Sequence, residues 1–103
     1  MKTELNFAKG TLTARVSGEI DHHTAALLRE ELDREIETRS IKKLVLDFEE
    51  VTFMDSSGIG LVMGRYRNLL KTGAELSIMG APPNIAKMLK LGGIEKLAKI
   101  ESR

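Results

Sequence analysis

Three polar residues stand together where they could do chemistry: Asp55-Ser56-Ser57, within Phe53-Met54-Asp55-Ser56-Ser57-Gly58-Ile59-Gly60. An apolar run, Lys43-Leu44-Val45-Leu46-Asp47-Phe48, ends just before this stretch, and a helix-period pattern from Ile59 to Leu70 begins just after it. Asp and Ser are preferred helix N-caps, because a side-chain oxygen accepts from the first backbone N–H groups, which have no partner inside the helix. The same geometry exposes a serine hydroxyl at a helix start, where a phosphate would meet free N–H groups and the positive end of the helix dipole. The plainer alternative is a cap and nothing more, yet two serines and an aspartate exceed what a cap needs. Gly58, Gly60 and Gly64 then follow inside the helix, each at a cost of about 1 kcal/mol relative to Ala. Gly60 and Gly64 are four apart and share one face. A flat face beside an exposed serine marks a docking surface; the alternative is a neighbouring helix of the same chain packed closely on the glycines.

Other chemistries fit less well. A nucleophile elbow reads Gly-x-Ser-x-Gly, but the residue two before Ser56 is Met54 and two before Ser57 is Asp55. His22 and His23 would serve as a base only if the fold brought them close. A metal site would have to draw on His22, His23, Asp21 and Asp47, and adjacent histidines project in different directions from a helix. Gly58-Ile59-Gly60 has no Gly-Lys-Ser/Thr after it, and a dinucleotide fingerprint would need glycine at Met63. The expectation is a chain that is not an enzyme, with no catalytic residue, cofactor or metal.

The whole chain sets the limits. Its 103 residues suit one domain, 1–103. With 42% hydrophobic and 30% charged residues it has a soluble globular composition, and with 4% aromatics and no Trp its core must be aliphatic. A net charge of +1 provides no field for nucleic acid or membrane. The absence of cysteine excludes disulfides, thiol catalysis and Cys-based metal sites. Met1 to Ala8 carries Glu4 and no apolar segment, unlike a signal peptide, and no apolar run approaches the ~20 residues of a membrane span. The expected location is the cytoplasm.

The elements that must position the Asp-Ser-Ser turn follow from periodicity. Glu4 to Ala8 and Thr11 to Ser17 read as a hairpin turning at Lys9-Gly10, with Gly18 ending the second strand. Asp21 caps a helix to about Glu37, with Thr24 three residues on; Ala25, Leu28, Leu32 and Ile36 face the core, and Arg29, Glu30, Asp33, Arg34 and Glu37 form a solvated face. Ile41 to Phe48 is a buried strand. The helix after the turn buries Ile59, Val62, Tyr66, Leu69 and Leu70, points Arg65, Arg67, Asn68 and Lys71 outwards, and stops at Gly73. Glu75 to Met79 is a strand. Pro83 or Asn84 opens a third helix with Ile85, Met88, Leu89 and Leu91 as its apolar stripe, ended by Gly92-Gly93. Leu97 to Glu101 is a last strand. The order β-β-α-β-α-β-α-β predicts an α/β sandwich: a mixed, mostly parallel sheet of about five strands with helices packed on it. Sites in such sheets lie beyond the carboxyl ends of strands, where the Asp-Ser-Ser turn falls.

Gly18-Glu19-Ile20-Asp21-His22-His23-Thr24, then Phe53 to Gly60, then Gly64-Arg65-Tyr66, resemble in order and spacing the anti-sigma factor antagonists of sporulating bacteria, STAS-domain proteins of the anti-sigma F type. The resemblance covers nearly the whole chain. It implies that Ser56, directly after the Asp, is phosphorylated by an anti-sigma factor that is itself an ATP/ADP-binding serine kinase. It implies that the unphosphorylated form binds this partner and frees sigma, that the phosphorylated form does not, and that a serine phosphatase resets the switch. Asp21, His22 and His23 map near the phosphoacceptor, and with Asp55, Ser57, Gly58, Gly60, Gly64 and Arg65 they are the implied partner-binding residues. A STAS module of a stress-response partner-switching pathway is the alternative. By the same resemblance a further helix would follow the last strand, and the residues up to Arg103 do not contain one.

Overall fold

The computed structural model describes residues 1–101, in which five strands form one sheet in the order β1-β2-β3-β4-β5. The elements are β1 (Lys2–Ala8), β2 (Thr11–Ile20), α1 (His22–Thr38), β3 (Lys43–Met54), α2 (Ser56–Leu70), β4 (Glu75–Met79), α3 (Pro83–Leu91) and β5 (Lys99–Glu101). A short 3-10 turn, Ile94–Lys96, precedes β5. The chain order and the mixed sheet match the expectation. β1 and β2 are antiparallel across the tight Lys9-Gly10 turn, both of whose residues have positive φ. All other neighbours are parallel.

One face of the sheet carries the core. Leu12, Ala14 and Val16 of β2, Leu44, Leu46 and Phe48 of β3, and Leu76 and Ile78 of β4 alternate towards it. Leu28 and Leu32 of α1, Val62 and Leu69 of α2, and Ile85 and Leu89 of α3 complete one continuous apolar cluster with them. The core is aliphatic apart from Phe48 and the half-buried Phe7 and Tyr66 at its margin.

Several boundaries move. β2 does not stop at Gly18, which takes φ +94 and lets the strand run on to Ile20. β3 does not stop at Phe48 but continues to Met54. The exposed Glu49 and Glu50 break the apolar pattern without breaking the strand. Pairing with β2 steps from Asp47 to Glu50 while β2 advances from Arg15 to Ser17, and from Val51 to Phe53 between Gly18 and Glu19. Each step is a bulge on β3 that absorbs one extra residue. The final strand is shorter than expected, because the Leu97 and Ala98 N–H groups donate back to the Ile94 carbonyl of the 3-10 turn instead of joining the sheet. Residues 102 and 103 lie outside the described residues.

The α1–α2 contact corrects two assignments. Arg65, expected to point outwards, is 5% exposed, and Asp33 faces it instead of solvent. Asp33 Oδ1 lies 2.8 Å from Arg65 Nε and accepts from Asn68 Nδ2 at 2.9 Å. Burial lowers the Arg65 pKa, the Asp33 charge opposes that shift, and Arg29 adds a like charge. The buried stripe of α2 is Gly58, Leu61, Val62, Arg65 and Leu69, which rotates Leu70 out to 56% exposure. Ile59 and Tyr66 pack at its edge. Leu91, placed on the α3 stripe, is likewise exposed.

Removing one partner of a buried ion pair leaves an uncompensated charge. Asp33→Ala, which leaves the buried guanidinium unpaired, should cost about 2–3 kcal/mol, whereas Arg65→Met, which keeps the stem and leaves the partly exposed Asp33 still bonded to Asn68, should cost less. Urea unfolding of both variants checks this, and a cost below ~1 kcal/mol for Asp33→Ala would show that the pair does not hold the two helices.

Candidate functional site

The site begins with two parallel strands that end level. Ile20 pairs with Met54, and the Asp55 N–H donates to the Ile20 carbonyl at 3.2 Å. Each strand is followed by one aspartate and then a helix, so two Asp-capped helix starts lie side by side. Asp21 Oδ1 accepts from the Thr24 N–H at 2.9 Å, and Thr24 Oγ1 accepts from the Asp21 N–H at 2.9 Å, closing a capping box. Asp55 Oδ1 accepts from the Ser57 N–H at 2.8 Å.

That second cap separates the two readings of the Asp-Ser-Ser turn. Asp55 caps α2 alone. Ser56, the first helical residue, is exposed and its hydroxyl takes no part in the cap. Ser57 is half-buried. The turn therefore presents one free hydroxyl at a helix start whose conformation is held by a different side chain.

The three glycines of α2 divide in the same way. Gly58 is buried, and a Cβ there would overlap the Met54 side chain. Nothing lies within 4 Å of a Cβ built at Gly60 or Gly64. Close packing by a helix of the same chain therefore does not account for these two. His22, Ala25, Ala26 and Arg29 of α1 face Ser57, Gly60 and Leu61 of α2 across a groove of about 250 Å³.

Of the expected site residues, Asp21, His22, Asp55, Ser56, Ser57, Gly58 and Gly60 thus gather around the two helix starts. His23 is exposed on the first turn of α1, and Gly64 is one turn further along α2 than Gly60. Arg65 is the exception, because it lies beneath the surface on Asp33. Among the described residues no three His, Asp or Glu side chains gather as a metal site. Arg29, Asp33 and Asn68 were missed as members of this region. The available signal was the stripe 58, 61, 62, 65, 69, which is a regular helical face that includes an arginine.

The Thr24 backbone and side-chain hydrogen bonds lower the Asp21 pKa below 3.8, against a smaller opposing desolvation, with His23 contributing further. A carboxylate with a depressed folded pKa stabilises the fold above its unfolded pKa and loses that contribution as pH falls through the folded one. Asp21→Asn should therefore flatten the acid limb of the stability curve below about pH 4, read as Tm against pH; an unchanged limb would remove Asp21 from the acid transition. Where a Cβ has room, Gly60→Ala should stabilise the protein by about 0.5–1 kcal/mol through helix propensity. Gly58→Ala should destabilise it by roughly 1 kcal/mol, because the overlap with Met54 outweighs the same gain. Urea midpoints of the two variants moving in the same direction would contradict this division.

The profile of the STAS domain family matches residues 2–103. The chain is 34% identical over 100 residues to the anti-sigma F factor antagonist of Paenibacillus polymyxa, covering 97% of this chain and 86% of that protein. It superposes on the unphosphorylated anti-sigma factor antagonist SpoIIAA with a TM-score of 0.86 and 28% identity, over 96% of this chain and 87% of that one. The phosphorylated form of the Bacillus cell fate determinant SpoIIAA gives a TM-score of 0.78 and 28% identity, over 96% and 90%.

Proposed function

The chain belongs to the STAS domain family, and from that premise we propose that it is an anti-sigma factor antagonist switched by phosphorylation of Ser56. The observation that carries this reading is the division of labour in the turn, where Asp55 supplies the cap and leaves the Ser56 hydroxyl exposed and unused. The unphosphorylated chain binds an anti-sigma factor with serine kinase activity and frees its sigma factor. Asp21, His22, His23, Asp55, Ser57, Gly60 and Gly64 form the docking surface. Gly58 lets the turn settle on Met54, and Arg65 holds α1 against α2 from below. The kinase transfers the γ-phosphoryl group of ATP: the Ser56 Oγ–P bond forms, the bond to ADP breaks, and the hydroxyl proton leaves to a base on the kinase. A serine phosphatase reverses the modification. The chain acts in the cytoplasm. No described helix is long and apolar enough to cross a membrane, in keeping with that location.

The modification adds close to two negative charges and three acceptor oxygens. The positive end of the α2 dipole tolerates that charge, so the fold persists and the effect falls on the docking surface. SpoIIAA, superposable on this chain in both its phosphorylated and unphosphorylated forms, supports a switch that keeps its fold. Intact mass after incubation with the anti-sigma kinase and ATP should show one added phosphate, absent in Ser56→Ala. The phosphoprotein should keep the circular dichroism spectrum of the unmodified chain. An unmodified wild type would overturn the proposal, and a phosphate surviving in Ser56→Ala would move the acceptor elsewhere.

A further inference from the structure

The two edges of the sheet differ. β5 forms one with 3 residues, whereas β1 forms the other with 7, in an unbroken register against β2. Sheet edges are ordinarily blunted by shortness, proline, a bulge or a covering element. β1 has no proline and no bulge, and among the described residues no strand pairs with its outer side. The Lys9-Gly10 turn, with both residues at positive φ, fixes which backbone groups are left there. In a two-residue hairpin of this kind the flanking pair, Ala8 and Thr11, exchanges both hydrogen bonds, and bonded pairs then alternate along the strands. Lys2, Glu4, Asn6 and Ala8 therefore bond to β2, while Thr3, Leu5 and Phe7 turn their N–H and C=O groups outwards.

The side chains of this edge are sorted by face. Leu5 stands opposite Ala14, hence on the core side, and is 36% exposed. Met1 continues the line of β1 beside Gly18 and shares that side. α1 lies over this end of the sheet, where Arg39 stacks on Phe7 at 4.9 Å. His22 and Asp33 turn towards α2, and helical phase places the exposed Leu27 on the opposite flank, above β1. An apolar strip of Met1, Leu5 and Leu27 thus runs beside the unpaired backbone. On the other face of the strand Lys2 and Glu4 form an exposed ion pair at 3.6 Å.

We propose that β1 is a self-association edge, on which two copies of the chain pair their β1 strands antiparallel about a twofold axis at Thr3. Thr3 then opposes Thr3, Met1 opposes Leu5, and Lys2 of each copy opposes Glu4 of the other. The charged pairs fall at positions without main-chain bonds, where facing side chains are closest. A register centred on Leu5 would join Thr3, Leu5 and Phe7 through as many main-chain bonds, but it sets Lys2 against Ala8 and Glu4 against Asn6. Charge selects the register at Thr3. It also selects the occupant, because opposite charges either side of one residue are complementary to themselves under a twofold axis. Such an interface closes at two copies. The Ser56 turn follows β3, two strands in from this edge, so both copies keep it open. The inference does not depend on the antagonist reading.

Sedimentation velocity of the whole chain from about 10 μM to about 1 mM should show a monomer–dimer equilibrium. Over the same range hydrogen exchange of the Thr3 and Leu5 amides should slow, while the amides of β5 stay unchanged. Lys2→Glu sets like charges opposite one another twice, once on each side of the axis, and should weaken self-association roughly tenfold. Glu4→Lys should do the same. An equimolar mixture of the two variants restores both ion pairs and should associate as tightly as wild type, a rescue between separate chains that no change in folding produces. A single monomeric species at every concentration, a wild-type dimer whose Thr3 and Leu5 amides gain no protection, or a mixture no tighter than either variant alone would each overturn the proposal.

Discussion

The structure depends on β2 and β3 ending level with one another. Their parallel pairing through Ile20 and Met54, closed by the Asp55 N–H on the Ile20 carbonyl, sets the two helix starts side by side. Without that register Asp21 and Asp55 would cap helices at different heights, and no groove would join His22 to Ser57. The two bulges in β3 are what make the register possible. Twelve residues of β3 must reach the same level as the end of a ten-residue β2, although their straight portions start level at Lys43 and Thr11. Each bulge absorbs one of the two extra residues and adds local twist. The residues at these two steps, Phe48–Glu49 and Thr52, therefore set where Ser56 emerges, although none of them belongs to the site.

This also explains which parts of the fold could be read in advance. The Asp-Ser-Ser turn was legible because N-cap chemistry is local: Asp55 and the amide it accepts from are two residues apart. The Asp21–Thr24 box was legible for the same reason. β4 matched its expected bounds because the apolar run at Glu75–Met79 is flanked by Gly73 and Gly80, both at positive φ. The far end of β3 was not legible, since a pair of glutamates reads as a strand end unless the partner strand is known to allow bulges. Arg65 was the other loss. An arginine on an amphipathic helix is ordinarily solvated, and what buries this one is an aspartate on a different helix. No window around Arg65 contains that partner.

The α2 helix carries two separate requirements on one sequence. Its inward stripe, from Gly58 through Leu61, Val62 and Arg65 to Leu69, holds the element against the core and against α1. Its outward stripe, Ser56, Gly60 and Gly64, contributes nothing to internal packing, since no neighbouring atom approaches the space where a Cβ would stand at either glycine. Glycine in a helix interior costs stability. On the proposed reading, two such costs on the side-chain-free face beside the free hydroxyl are offset by the close approach of a partner surface. The buried Gly58 answers to a different constraint, the room taken by Met54.

A switch built this way avoids a conflict that modification at a helix start would otherwise create. Had Ser56 been the cap, esterifying its oxygen would have removed the acceptor that fixes the first turn, and the signal would have been coupled to fraying of α2. With Asp55 as the cap, the backbone amide of Ser57 keeps its partner whatever happens to the neighbouring hydroxyl. On the proposed reading, a phosphate on Ser56 would enter a region already biased towards anions by the α2 dipole. Modification at Ser56 would then act on the surface potential of the proposed docking face while the core is left alone, which is what a reversible binding switch on so small a domain requires.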